Sequence, residues 1–175
     1  RGFLVESDRD GVSTPLTKNK MSLRASITGE IVLDDVFVPD ENVFPEVRGL
    51  KGPFACLNNA RYGIAFGALG AAENCYKRAR NYVMERTQFG KPLASTQLIQ
   101  TKLANMVTEI TQMQQTVRRL GELKDDDRCT PAMISLAKRN NCETALNVAQ
   151  SARKMLGGDG VTSRFPVMRH LNNLE

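Results

Sequence analysis

Tryptophan is absent from these 175 residues, histidine occurs once, and no C-x-x-C pair is present. Each absence removes a class of function. His170 stands alone, and Cys56, Cys75, Cys129 and Cys142 lie far apart, so the Cys/His spacing of a zinc site is missing. Those cysteines are expected to be four reduced, mostly buried thiols. A Ser-His-Asp arrangement built on His170 has no nucleophile motif to support it. Aromatic residues make up only 6% of the chain, which favours helices rich in Ala, Leu and Met over a large β-sandwich. No apolar run approaches the roughly 20 residues that a membrane-spanning helix needs, so the expectation is a soluble chain with no membrane span. An initiator Met is also missing. The sequence opens in strand-like Arg1-Gly2-Phe3-Leu4-Val5 without a signal or transit peptide, and something is expected to precede it.

What is present suits a packed core: 41% of residues are hydrophobic and 25% charged. Net charge is +5. The Lys and Arg residues are scattered, and the one acidic cluster is Asp125-Asp126-Asp127. A scattered excess describes solvated helix faces, so no nucleic-acid partner is expected. A few localised arginines facing an anionic cofactor fit the charge better.

Two periods divide the chain. Residues 1–50 carry short β-type runs: Phe3-Leu4-Val5, then Ile31-Val32-Leu33 continuing into Val36-Phe37-Val38 and ending at Pro39. Pro45, Gly49, Gly52 and Pro53 mark a joint. Over 51–175 the period is helical. Ile64, Ala68, Ala72, Cys75, Ala79 and Tyr82 form one stripe, ended by Gly90 and Pro92. A second helix is expected from Ser95 or Thr96, either of which can cap it, with Leu98, Leu103, Met106, Ile110, Met113, Val117 and Leu120 inward. After the break at Thr130-Pro131, a third carries Ile134, Ala137, Ala145, Val148, Ala152 and Met155 and stops at Gly157-Gly158-Asp159-Gly160. Residues 165–175 read as a short further helix. Three antiparallel helices with short connections predict a bundle, and one missing helix would leave an apolar groove.

Three segments carry candidate chemistry. Arg86-Thr87-Gln88-Phe89-Gly90-Lys91-Pro92-Leu93 joins the first two helices, and Arg86 with the start of the next helix can hold a diphosphate between a guanidinium fork and a helix N-terminus. The plainer alternative is that Arg86 satisfies helix carbonyls and Gly90-Lys91-Pro92 is an ordinary turn. Leu156-Gly157-Gly158-Asp159-Gly160 places three glycines in four positions, where a flat ligand can approach the backbone, although glycine after a helix is also a common cap. Phe54, Ala55, Cys56, Leu57, Asn58, Asn59, Ala60 and Arg61 offer two Asn and an Arg in a partly apolar stretch, suited to an amide-rich, phosphate-bearing ligand. The alternative there is a capped helix start with Asn58 or Asn59 near the cap.

In this order, four segments resemble the acyl-CoA dehydrogenase family: Ser22-Leu23-Arg24-Ala25-Ser26-Ile27-Thr28, Asp35-Val36-Phe37-Val38-Pro39, the R-x-Q-F-G stretch at Arg86, and the glycine loop at Gly157. The likeness covers essentially the whole chain. Gly52 to Gly63 and Gln97-Leu98-Ile99-Gln100 look most like the glutaryl-CoA dehydrogenase branch.

The resemblance implies an α+β, mostly α fold. Residues 1–50 would be the carboxy-terminal part of a middle β-domain, and 51–175 an incomplete carboxy-terminal four-helix bundle. It implies FAD between the two, an acyl-CoA substrate, electron-transfer flavoprotein as acceptor, and a homotetramer. It also implies oxidative decarboxylation of glutaryl-CoA to crotonyl-CoA and CO2, in lysine and tryptophan degradation. The location would be the mitochondrial matrix in a eukaryote and the cytoplasm otherwise. Phe54 to Arg61 match the acyl-CoA contact stretch. Arg86 matches the arginine reaching the FAD diphosphate of a neighbouring subunit, with Gln88, Phe89 and Gln97 also at the flavin, and Lys154 to Gly158 match the loop against FAD. Lys154 departs from the glutamine common in relatives, and the backbone contacts of Gly157 and Gly158 do not depend on it. The family's base sits in a Tyr-Glu-Gly stretch expected beyond Glu175. Its alternative position is occupied by Ala60, which cannot take a proton. The present chain alone is therefore expected to be inactive. Two other readings stand beside this one: a non-decarboxylating short- or branched-chain acyl-CoA dehydrogenase, and a non-catalytic basic helical binding module.

Overall fold

A computed structural model describes residues 1–175. The chain divides into two compact units, Arg1–Leu57 and Asn58–Glu175.

The first unit is mostly irregular, with short antiparallel pairings. Strand β1 (Gly2–Phe3) pairs with β4 (Val43–Phe44), and β2 (Val12–Ser13) pairs with β3 (Val32–Leu33). The expected strand through Leu4 and Val5 stops at Phe3, and no strand forms over Val36-Phe37-Val38. The reason for the second miss is local. Asp35 takes a left-handed φ of 48° directly after β3, and the Asp34 amide bonds the Gly11 carbonyl at 2.9 Å, so the ladder turns away before Val36. Gly11 cannot be replaced here: at φ +84°, an added Cβ would lie 2.2 Å from the Asp34 carbonyl oxygen.

Four helices follow: α1 (Lys51–Glu85), α2 (Gln97–Asp125), α3 (Pro131–Met155) and the short α4 (Val167–Leu174). Gly52 and Pro53 fall in the first turn of α1, where a proline lacks nothing the helix needs. Asn58 and Asn59 are therefore inside α1, well past its cap. Between α1 and α2 lies a hairpin of β5 (Thr87–Gln88) and β6 (Lys91–Pro92). Thr130 caps α3 by accepting the Met133 amide at 3.4 Å, with Pro131 as the first helical residue.

Side-chain bonds show the helix directions. Lys124 and Gln114 of α2 reach Asn59 and Glu73 of α1 at 3.3 and 2.7 Å, so these helices run antiparallel. Asn141 of α3 donates to the Ala65 carbonyl of α1 at 3.0 Å, and Ser135 accepts from Arg61, so α3 runs parallel to α1. Asn141 is fully buried. Its amide is satisfied on both sides, because its oxygen accepts from Asn140 at 3.2 Å.

The core confirms the helical stripes with two shifts. On α1 the buried residues are Ala65, Ala68, Ala72, Cys75, Ala79 and Val83, whereas Ile64 is 48% exposed and Tyr82 half-buried. On α2, Met106, Ile110, Met113, Val117 and Leu120 are buried as the period predicts, but Leu98 is 70% exposed. The buried face of α1 is made of small side chains, and it shares one core with the larger Met and Val residues of α2 and α3.

The cysteines are all free, yet only Cys75 is buried; Cys56 is exposed and Cys129 and Cys142 are intermediate. The expectation of mostly buried thiols is corrected for Cys56, which lies on an exposed face of α1. Burial pushes the Cys75 thiol up to about 12. A maleimide should therefore label Cys56 in the native protein and Cys75 only after unfolding. Equal labelling of both thiols without denaturant, followed by mass spectrometry, would contradict this placement. No helix is long and apolar enough to cross a membrane, and no group of three or more His, Cys, Asp or Glu side chains is placed to hold a metal.

Candidate functional site

The β5–β6 hairpin turns on two residues with left-handed backbone, Phe89 at φ 55° and Gly90 at φ 76°. Two such residues give the tight turn that matches strand twist. Glycine accepts that conformation freely, but for a bulky aromatic it is uncommon and costs energy. Phe89 nevertheless holds it with its side chain 93% exposed. Packing within this chain does not account for that arrangement, so the hairpin tip is a place to look for a contact.

Arg86 stands at the base of the hairpin. Its amide bonds the Tyr82 carbonyl at 2.8 Å, continuing the helix, and its own carbonyl accepts the Leu93 amide at 2.9 Å. The second bond brings the chain back to Arg86 immediately before α2 begins. The exposed guanidinium donates to no protein group, so the reading in which Arg86 satisfies helix carbonyls is not what the structure shows. Thr96 is the N-cap of α2, but its hydroxyl donates back to the Leu93 carbonyl at 2.8 Å and makes no capping bond. The first turn of α2, starting at Gln97, contains no acidic residue. The positive end of that helix is thus left uncompensated beside an unpaired arginine, a pairing suited to an anion.

The glycine loop follows α3 as a 3-10 turn over Gly157–Val161. Gly157 adopts φ +57°, and a Cβ at Gly157 or Gly158 would meet nothing within 4 Å. The other side of the loop is tight. A Cβ at Gly160 would lie 2.4 Å from the Arg153 carbonyl oxygen, so only glycine fits there without movement. Lys154 is exposed, while Met155 and Leu156 are buried in the core and contribute to the loop only by holding it.

Asp159 links this loop to α1. Tyr82 donates its hydroxyl to Asp159 Oδ2 at 3.1 Å, and Arg164 reaches Asp159 Oδ1 at 3.4 Å. Burial, and then the bond to Asp159, push the Tyr82 phenol above its ordinary range, so it remains a donor. The Phe165 ring meets Tyr82 edge-on, with centroids 5.6 Å apart. Sequence reasoning placed Tyr82 in the apolar stripe and Asp159 in the glycine loop without a role for its side chain. A clue was available in the hydroxyl, which needs a partner when a tyrosine lies on a core-facing stripe.

The stretch Phe54 to Arg61 splits into two sets. Phe54, Ala55, Cys56, Leu57 and Ala60 are exposed on α1. Asn58, Asn59 and Arg61 are tied to their surroundings instead. Arg61 donates to Ser135 Oγ at 3.0 Å and to the Asn58 side-chain oxygen, and Asn59 accepts from Lys124. The Arg61 Nε is buried without a partner, and no salt bridge neutralises this guanidinium. None of these eight residues carries a carboxylate.

Comparison with known proteins places these features. The acyl-CoA dehydrogenase C-terminal domain signature matches residues 48–175. A crystal structure of glutaryl-CoA dehydrogenase from Mycobacterium smegmatis is 46% identical with a TM-score of 0.96, covering 99% of this chain and 45% of that one. A second, of a Mycobacterium smegmatis glutaryl-CoA dehydrogenase in complex with FADH2, is 44% identical with a TM-score of 0.95, over 99% of this chain and 45% of that one. The short-chain specific acyl-CoA dehydrogenase of Megasphaera elsdenii is 34% identical over 98% of this chain and 45% of its own length. The chain thus spans a little under half the length of these relatives. With the domain signature covering every helix and the fold superposing throughout, the chain belongs to the acyl-CoA dehydrogenase family.

Proposed function

We propose that the complete protein is an FAD-dependent dehydrogenase of acyl-CoA thioesters, with glutaryl-CoA as substrate and crotonyl-CoA and CO2 as products. The observation that carries the flavin part is the unpaired Arg86 guanidinium beside the uncapped, acid-free start of α2. That combination of fork and amide donors suits a diphosphate. The open backbone at Gly157 and Gly158 fits a flat ring system for the same reason that no Cβ is present to block it. Bound there, FAD would supply the two-electron acceptor that the dehydrogenation requires.

In this reading the chain's own residues bind and orient. Arg86, the Gln97 end of α2 and the glycine loop hold the cofactor, with Gln88 and Phe89 beside it. The exposed face of Phe54 to Ala60 lies along the thioester substrate. No residue of Phe54–Arg61 is an acid, so none of them takes the α-proton. Electrons pass on to an electron-transfer flavoprotein, and the projecting Phe89 hairpin serves a subunit contact in a homotetramer.

The glutaryl assignment rests on the 46% identity to the Mycobacterium smegmatis enzyme. The 34% identity to a short-chain specific enzyme supports the second reading, a non-decarboxylating dehydrogenase. Purified complete protein given glutaryl-CoA and an electron acceptor should release CO2 in proportion to acceptor reduced. Butyryl-CoA oxidation without CO2 from glutaryl-CoA would select the second reading, and a colourless protein that takes up no FAD would overturn both.

A further inference from the structure

Two candidate cofactor elements, the hairpin base at Arg86 and the loop at Gly157–Gly158, are far apart in sequence but are joined by one residue. The Tyr82 carbonyl accepts the Arg86 amide at 2.8 Å, and its hydroxyl, on the same residue, holds Asp159 Oδ2 at 3.1 Å. Its ring is braced by Phe165. Asp159 is the residue directly after Gly158, so its side-chain bond sets how the open glycine backbone faces. The loop is also pinned at Gly160 against the Arg153 carbonyl. With Asp159 and Gly160 both fixed, Gly157 and Gly158 are the two loop glycines whose backbone is unobstructed.

We propose that Tyr82 is a positioning residue that couples the Arg86 end of α1 to the glycine loop through Asp159, so that both meet one cofactor in register. Neither Tyr82 nor Asp159 need touch the ligand. The pair acts by geometry, and its hydrogen bond is partly shielded from water, where a single lost bond is worth about a tenfold change in an equilibrium. The exposed Arg164 partner adds little, because such an ion pair is largely screened.

This inference rests on the flavin reading above, and the experiment separates the two. The complete protein is stripped of flavin and titrated with FAD, following the flavin spectrum, for wild type, Tyr82→Phe, Asp159→Ala, Asp159→Asn and the double variant Tyr82→Phe with Asp159→Ala. Wild type that takes up no FAD defeats the functional reading itself. Given uptake, Tyr82→Phe and Asp159→Ala should each weaken FAD binding about tenfold and shift the bound flavin spectrum, with no comparable loss in the double variant beyond either single one. Asp159→Asn keeps an acceptor oxygen for the tyrosine hydroxyl and should stay within about threefold of wild type. Unchanged FAD affinity and spectrum in Tyr82→Phe would overturn the proposal. So would equal losses in Asp159→Asn and Asp159→Ala, which would mean that the charge of Asp159, not its bond to Tyr82, matters. Should Asp159→Ala fail to fold, Tyr82→Phe, which removes a single oxygen, decides the matter alone.

Discussion

Arg86→Ala should lower the affinity of the complete protein for FAD by about 10- to 100-fold while changing acyl-CoA binding far less. The magnitude follows from losing a charge-assisted, two-pronged contact to phosphate, worth about 1.5–3 kcal/mol. The structure makes the experiment clean. The Arg86 guanidinium has no partner in the chain, so its removal breaks no internal bond, and the backbone bonds to Tyr82 and Leu93 survive in alanine. Thermal stability without flavin should therefore be unaltered. Arg86→Lys keeps the charge but loses the planar fork, and should fall between wild type and alanine. Gel filtration followed by flavin absorbance measures retention directly. Full flavin occupancy in Arg86→Ala would remove this residue from the cofactor site.

The largest effect on stability is expected from Met113→Ala. Met113 lies mid-way along α2, is fully buried, and belongs to the cluster that includes Ala72, Cys75, Ala145 and Ala149. Truncation of a buried methionine costs about 2–5 kcal/mol, toward the upper end where the site cannot collapse. For a domain of this size that corresponds to a drop of roughly 10 °C in Tm. Differential scanning calorimetry on the apo-protein would measure it. A fall under about 2 °C would show that the α1–α2–α3 core is looser than its burial indicates.

Much of the fold was legible along the chain. The third helix was readable at both ends because Thr130-Pro131 and Gly157 are start and stop signals that act locally. The α2 stripe was readable because Met106, Ile110, Met113, Val117 and Leu120 are large and leave no alternative face. On α1 the inward face is built of alanines, and periodicity could not distinguish Ile64 from Ala65 as the buried position. What decides it is the space available beneath α2 and α3, into which Ala65 fits. The failure at Val36-Phe37-Val38 has a different origin. Those side chains favour a strand, but a ladder partner is needed as well, and the backbone turn at Asp35 denies them one.

The candidate site divides in the same way. Arg86, Gly157 and Gly158 were identifiable because a charged residue at a helix end and glycines after another are visible in one dimension. The Arg61 bond to Ser135 and the Tyr82 bond to Asp159 join residues 74 and 77 positions apart. Nothing in the local pattern could pair them.

Residue order by itself determined where α3 starts and stops, which residue types stand at the helix junctions, and the family those junctions resemble. Each of these depends on side-chain size and backbone preference within a few neighbouring residues. The tertiary structure decided which polar groups are consumed and which are left over. Arg61 commits both terminal nitrogens inside the bundle and leaves Nε buried without a partner, whereas the exposed Arg86 guanidinium donates to no protein group. That difference arises because only helix packing sets which side chains come within hydrogen-bonding reach.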